Sequence, residues 1–196
     1  MKKTLALALA MMMAALTLSG CGGGNSEERV VNVCSWGEYI DETLIDQFEE
    51  ETGITVNYVT AESNEALYSQ LSMGGVDYDV IVPSDYMISQ LIEEDMLAEL
   101  NYDNIPNFEK IDARFKNLPY DPENKYTVPY SWGTLGIIYN TSMVNGPVTG
   151  WDAMFDPANA GNVLLINNSR DAFGIALMHL GYSVNTTDEE QIHEAY

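Results

Sequence analysis

The sequence predicts an α/β fold in which a parallel sheet is covered by helices on both faces. Short β-branched runs alternate with amphipathic segments of helical spacing, and glycine or proline ends most of them. Polar and aromatic residues follow several predicted strands, at the position where open α/β sheets bind ligands. The same strand–helix pattern begins again late in the chain, so we expect two α/β lobes, of which the second is incomplete.

The first predicted lobe covers residues 29–133. Asp41 and Asn64 are predicted helix N-caps, and Gly53 is a predicted helix stop. The predicted elements are a strand from Val30, a helix over 41–52, a strand over 54–59, a helix over 65–73, a strand over 78–82 and a helix from Asp85. Residues 97–124 are predicted as short helical turns and loops, because three prolines interrupt them.

The second predicted lobe covers residues 134–196. Extended runs at 126–133 and 135–140 meet at Gly133 and Thr134, which marks the passage between the lobes. A short helix over 151–155, a buried strand over 163–166 and helices over 172–180 and 188–196 are then expected. A single clear strand and a last helix cut at Tyr196 indicate a fragment of a longer two-lobed protein.

The charge balance is strongly acidic, with 8 Lys+Arg against 30 Asp+Glu and a formal net charge of −22. Such a chain repels nucleic acid and anionic lipid headgroups and attracts cationic partners. Acidity also keeps a secreted protein soluble, and composition alone leaves both explanations open.

The N-terminus predicts a lipoprotein signal peptide over residues 1–20. A basic start is followed by an apolar stretch over 4–18, and Leu-Ser-Gly precedes Cys21. We expect Cys21 to be acylated and residues 21–28 to be a flexible tether, which would place the protein outside the cytoplasm on the cell membrane. An ordinary signal peptide or a signal anchor is the alternative. Cys34, the other cysteine, is predicted to be a buried small hydrophobe.

Three predicted strand ends carry chemistry suited to an organic cation. They supply Trp36, Glu38 and Tyr39, then Ser84 to Tyr86, and then Asp171. Aromatic faces attract an ammonium group through cation–π interactions, and carboxylates pair with it. Each of these residues could instead be ordinary packing or a helix cap, and Asp41 and Asp85 are assigned to caps.

Catalytic signals are weak, and we predict neither an enzyme nor a bound cofactor or metal. His179 and His193 lie at helix positions away from any nucleophile pattern. No glycine-rich phosphate loop, serine elbow or His/Cys metal spacing is present. The acidic pairs at 93–94 and 189–190 suit solvated helix faces better than a glycosidase site.

Several motifs resemble the spermidine/putrescine-binding proteins of bacterial ABC transporters. The matching stretches lie in chain order at 36–39 (Trp-Gly-Glu-Tyr), 48–54, 62–65 (Glu-Ser-Asn-Glu), 78–84 (Tyr-Asp-Val-Ile-Val-Pro-Ser), 128–133 and 180–188. The resemblance implies the two-lobed, type II solute-binding fold, which closes over its ligand at a hinge. It also implies a polyamine ligand, permease subunits as partners and a family length about twice that seen here.

The resemblance further implies which residues contact ligand. In the first lobe these are Trp36, Gly37, Glu38, Tyr39 and Tyr86. In the second lobe the acidic tip falls on residues 167–171, where Asn168 stands at a position that is Asp in members with two acids, and Asp171 is the remaining carboxylate. Because the acidic tip then has one carboxylate fewer, the resemblance does not fix the length or charge of the preferred polyamine. The family's remaining aromatic residues and a further Asp lie outside this chain.

Two alternatives stay open. The acidic and aromatic strand ends would also suit a solute-binding protein for another cation, such as a thiamine-like or amino-acid ligand. A surface-anchored hydrolase using Glu38 and Asp171 as an acid/base pair is the alternative from a different class, and it predicts a raised pKa for one carboxyl.

Overall fold

The structure, a computed structural model, describes residues 29–144 and 146–196. The predicted signal peptide (1–20) and the whole predicted tether (21–28), which includes Cys21, lie outside these ranges. Within them, no helix has the length and apolar character needed to cross a membrane.

A three-stranded parallel sheet forms the centre of the first lobe. Its strands are β1 (Val30–Ser35), β2 (Thr55–Thr60) and β3 (Val80–Ile81), in the order β2-β1-β3. Val30 pairs with Thr55, and Val33 pairs with Val80. The predicted parallel sheet is therefore confirmed, although β3 is shorter than the predicted 78–82.

Cys34 lies in the central strand and is almost fully buried. Burial raises the pKa of its thiol, while a hydrogen bond with Tyr78 acts in the opposite direction. A thiol held protonated is a poor nucleophile, so the prediction of a buried small hydrophobe is confirmed.

Three helices follow the three strands of this sheet. They are α1 (Glu42–Thr52), α2 (Asn64–Met73) and α3 (Asp85–Glu93). Asp41 caps α1 as predicted, accepting from the Thr43 amide at 3.0 Å, and Gly53 ends it in the left-handed conformation (φ 64°). The predicted Asn64 cap is wrong, because Ser63 accepts from the Ala66 amide and caps α2.

Asp85 is not the cap of α3. Ser84 occupies the N-cap position, and Asp85 is the first residue of the helix. Its carboxylate accepts a 2.8 Å hydrogen bond from the Tyr86 amide, inside the first turn of the helix. The carboxylate thus still satisfies a backbone donor, one position later than a cap would.

Short helical turns follow α3, at Tyr102–Asn104, Pro106–Lys110 and Ala113–Phe115, as predicted. Asp121 organises the segment after them and is only 3% exposed. Its carboxylate accepts from the Lys125 amide (2.9 Å), the Tyr126 amide (3.0 Å) and the Thr127 hydroxyl (2.8 Å). Three donors offset the unfavourable burial of this charge.

The strand predicted over 163–166 does not form, and neither do ladders in the extended runs at 126–133 and 135–140. A strand needs a hydrogen-bonded neighbour, and within the described ranges these runs have none. Leu135–Asn140 and 163–166 instead line an apolar groove of about 260 Å³, which Asp171 and Ile175 also border. Ile138 and Leu164 are almost fully exposed.

The helices of the second lobe are α4 (Asp152–Phe155), α5 (Ser169–His179) and α6 (Glu189–Ala195). The predicted start of α5 at residue 172 is wrong by about one turn, because Asn168 caps the helix and Ser169, three residues before 172, is its first residue. The His179 ring stacks on Phe155 and contacts the Asp152 carboxylate at 2.7 Å. This histidine is therefore engaged in packing between α4 and α5.

Candidate ligand-binding site

The first tip, residues 36–39, directly follows the central strand β1. The Ser35 carbonyl accepts a hydrogen bond from the Ala61 amide at 2.9 Å. The pairing of β1 with β2 therefore continues to the last residue of β1, at the carboxyl end of the sheet. The Trp36 carbonyl accepts from the Tyr58 hydroxyl at 3.0 Å, which fixes the start of the tip. Trp36 is half-buried, whereas Gly37, Glu38 and Tyr39 are exposed.

Glu38 adopts the left-handed backbone conformation, with φ 62°. This conformation costs a non-glycine residue roughly 1 kcal/mol, and such residues cluster at ligand sites. The turn leaves the Glu38 carboxylate exposed at the end of the sheet. It is thus accessible to a cation in solution.

Tyr130 contacts the first tip from a run that lies 91 residues further along the chain. Its hydroxyl donates to the Tyr39 carbonyl, and the two rings lie 6.4 Å apart at 33°. This spacing falls in the range of aromatic pairs. Tyr130 was not predicted among the candidate site residues, although it lies in a stretch matched by the family resemblance and contacts the first tip.

Tyr86 is held in place by a buried amide. Asn64, 4% exposed, donates to the Ser84 hydroxyl at 3.0 Å and accepts from the Ser84 amide at 2.9 Å. These two bonds join the start of α2 to the start of α3, and so bring Glu65 beside Tyr86. The Tyr86 hydroxyl donates to Glu65 Oε1 at 3.3 Å. Burial raises the pKa of Tyr86, and the Glu65 charge adds to this effect.

The second tip, residues 167–171, forms the start of α5. Asn168 Oδ1 accepts from the Arg170 amide at 3.0 Å and the Asp171 amide at 3.3 Å, so its carbonyl oxygen serves as the helix cap. Asp171 borders the apolar groove, and desolvation raises the pKa of its carboxyl. Both residues lie at one tip, as expected, but Asn168 has a structural task that the sequence reasoning did not assign.

The second tip meets the Tyr86 region directly. Ser169 Oγ donates to Glu65 Oε1 at 2.9 Å, and the Arg170 guanidinium lies 5.1 Å from the centre of the Tyr86 ring. The pKa of Glu65 is lowered, first by a bond from its own amide, and then by Ser169, Tyr86 and the Arg170 charge. Glu65 and Arg170 were not predicted as site residues, and residue type alone gave no signal for them.

The first tip offers aromatic rings and an exposed carboxylate at the carboxyl end of a parallel sheet, and the second tip contacts Glu65 and Tyr86 at the starts of α2 and α3. Such a combination binds organic cations. In the part of the chain that the structure describes, no group of His, Cys, Asp and Glu side chains is arranged to hold a metal ion.

This geometry agrees with the family to which the chain belongs. Residues 43–196 match the model of the bacterial extracellular solute-binding proteins, and the chain is a member of this family. The resemblance to polyamine-binding members is confirmed as well. The chain is 37% identical to the spermidine/putrescine-binding periplasmic protein of Escherichia coli K12 over 184 residues, which are 93% of this chain and 53% of that protein.

Solved structures agree with the type II solute-binding fold. One is the protein assigned as a spermidine/putrescine ABC transporter in Listeria monocytogenes, at 44% identity and a TM-score of 0.81 over 86% of this chain and 52% of that one. Another is a lipoprotein of Treponema pallidum, at 31% identity and a TM-score of 0.77 over 85% of this chain and 52% of that one. The chain thus spans about half the length of these relatives, and its second lobe is incomplete.

Proposed function

We propose that the chain forms one wall and part of the opposite wall of a polyamine-binding cleft in the substrate-binding component of an ABC transporter. The observation that carries the proposal is the contact of the second tip with the starts of α2 and α3, in which Ser169 and Arg170 contact Glu65 and Tyr86. A cation entering there meets the Tyr86 ring and the Glu65 carboxylate on the side of the first lobe, and Asp171 belongs to the tip on the other side. The names of the relatives, which are spermidine- and putrescine-binding proteins, support the same ligand class.

The mechanism is binding and closure, without covalent chemistry. Ligand held by the first tip and by Tyr86 would favour the closed arrangement of the lobes, and the permease would recognise that state. We place the lobes at 29–133 and 134–196. In this scheme Trp36 and Tyr39 cover the methylene stem of the ligand, and Glu38 and Asp171 pair with its nitrogens.

The hydrolase alternative rests on one feature, the raised pKa of Asp171. That shift comes from burial beside the apolar groove. Between the described residues, no hydrogen bond joins Asp171 to Glu38, and the relatives are transport proteins. We therefore infer that the protein is a binding protein and not an enzyme.

Calorimetric titration of the purified chain with spermidine and putrescine tests the ligand class. We expect weak binding that disappears in high salt, because only part of the family's site is present and the attraction is electrostatic. Asp171→Ala should weaken binding about tenfold, while Asp46→Ala, which removes an exposed acid of α1, should leave it unchanged. If another solute binds and neither amine does, the polyamine assignment is wrong.

We also propose that Cys21 carries a lipid anchor, which would hold the protein at the outer face of the cell membrane. The supporting observation is the Leu-Ser-Gly-Cys order after an apolar stretch. A bacterial host expressing the chain would be fed an alkyne-tagged fatty acid. Labelling should be lost in Cys21→Ala and kept in Cys34→Ala, and label retained in Cys21→Ala would exclude the anchor at this position.

A further inference from the structure

We propose that Arg170 acts as an internal cation which occupies the Tyr86–Glu65 position in the ligand-free chain and which an amine ligand has to displace. This inference rests on the proposed function, because it concerns the selectivity of the same site. It assigns Arg170 and Glu65 as specificity-determining residues.

The contact has the geometry of a cation site. The Arg170 guanidinium lies 5.1 Å from the centre of the Tyr86 ring, within the roughly 6 Å over which a ring attracts a cation. The Tyr86 hydroxyl and Ser169 Oγ both donate to Glu65 Oε1, at 3.3 and 2.9 Å. The protein's own guanidinium therefore lies over one aromatic face, and the carboxylate beside that face is already hydrogen-bonded by two hydroxyls of the protein. The Arg170 charge also lowers the pKa of Glu65.

Two anchors hold the partners in place. The buried Asn64–Ser84 pair fixes the start of α2 beside α3, and so fixes Glu65 beside Tyr86. The Asn168 cap fixes the first turn of α5, which carries Ser169 and Arg170. The Arg170 side chain itself is exposed, so it can leave the ring without uncovering a core.

Because the Arg170 guanidinium is covalently attached to the chain, it competes selectively with amine ligands. A group attached to the chain acts at an effective concentration in the millimolar range, so a ligand with one ammonium group and a similar contact gains little by replacing it. A ligand with two or more ammonium groups gains a second contact, at a carboxylate such as Glu38 or Asp171. The contact thus favours polyamines over monoamines.

The nitrogen signals of the arginine side chains report on this contact directly. The chain has three arginines, Arg29, Arg114 and Arg170, so a ¹⁵N spectrum of their Nε–Hε groups contains few signals. Arg170→Gln identifies the relevant one. Arg114 serves as an internal control, because it lies over Phe115 with Asp112 as its partner at 3.3 Å.

The ligand-free experiment tests the contact alone. Glu65→Gln and Tyr86→Leu should each shift the Arg170 signal, while the matched control Glu62→Gln, an exposed acid just before α2, should not. The Arg114 signal should stay in place in all three variants. An Arg170 signal unaffected by both site substitutions would overturn the proposal, whatever the chain binds.

Addition of ligand then tests displacement. With spermidine we expect the Arg170 signal to move towards the position of free arginine, and propylamine at equal ammonium concentration should not move it. Spermidine bound with an unchanged Arg170 signal would contradict the proposal. If the parent chain binds no spermidine, the Arg170→Gln variant is titrated as well. Spermidine binding that appears only in this variant supports displacement of Arg170. Absence of binding to both proteins rejects the displacement proposal.

Discussion

Ser169 Oγ donates a 2.9 Å hydrogen bond to Glu65 Oε1, although the two residues are 104 positions apart in the chain. It joins the first turn of α2 to the first turn of α5, and so connects a helix of the first lobe to the tip of the second. Glu65 also accepts from Tyr86, so one carboxylate oxygen serves donors from both lobes.

The Glu65–Ser169 bond should be detectable as a coupling energy. In a double-mutant cycle of Glu65→Ala and Ser169→Ala, we expect the two effects on the free energy of unfolding to fall short of additivity by about 0.5–1 kcal/mol, since the bond is charged but exposed. Urea denaturation measures the four proteins. The parallel cycle of Glu62→Ala with Ser169→Ala should be additive, and equal results from both cycles would argue against the contact.

The buried Asn64 side chain should contribute more to stability than the exposed contact does. Asn64→Ala leaves the Ser84 amide and hydroxyl without their partner, which should cost about 1–3 kcal/mol. Asn107→Ala removes an exposed amide from a short helical turn and should change stability by less than about 0.5 kcal/mol. Equal urea midpoints for the two variants would show that the Asn64–Ser84 pair is not needed.

Glu38 is expected to oppose stability while supporting binding. Glu38→Gly removes the strain of the left-handed backbone and should raise the free energy of unfolding by about 0.5–1 kcal/mol. Glu38→Ala keeps the strain and should give no such gain. Both variants should bind spermidine more weakly than the parent chain, because both lack the carboxylate. Thermal unfolding with calorimetric titration separates the two effects, and a stabilised Glu38→Ala would refute the strain argument.

Asp171 should make stability fall as the pH rises. Burial raises its pKa above the ordinary value of 3.8, so the folded chain favours the protonated form. The stability that this raised pKa gives the folded chain is fully present below pH 3.8, and it is lost as the pH rises through the pKa of Asp171 in the folded chain. Asp171→Asn should therefore be more stable than the parent at pH 7, by less than about 1 kcal/mol.

The control for this pH dependence is Asp46→Asn, which changes an exposed acid with the same loss of charge. Its stability relative to the parent should not vary in the same way between pH 3 and pH 7. If Asp171→Asn is less stable than the parent at pH 7, then desolvation is not the main effect on the pKa of the Asp171 carboxyl, and the predicted pH dependence is wrong.

The first lobe could be predicted from the sequence because its signals are local. Asp41 and Gly53 bound α1 where the capping pattern places them, and the β-branched runs pair as a parallel sheet. The caps at Asn64 and Asp85 were wrong by one position. At α2 serine and asparagine compete for the same amide donors, and Ser63 takes the cap. At α3 Ser84 holds the N-cap position without a side-chain capping bond. Residue pattern alone could not rank each serine against the neighbouring asparagine or aspartate as the N-cap residue.

The second lobe and the cross-lobe contact could not be predicted in the same way. A strand such as 163–166 depends on a neighbour that lies far away in sequence, and residue pattern reports only its apolar character. Glu65 and Arg170 look like solvated charges in any local window. Their role depends on a contact across more than 100 residues, which only the folded chain specifies.

The hydroxyls of Tyr58 and Tyr130 both bond to main-chain carbonyls of the first tip, at Trp36 and Tyr39. Every residue type has such a carbonyl, so these two hydrogen bonds do not depend on which side chains the tip carries. Mutation at positions 36 and 39 can therefore alter the surface offered to a ligand while the path of the backbone is kept. In evolutionary terms, the tip is a site where ligand preference can drift without a matching change in the scaffold.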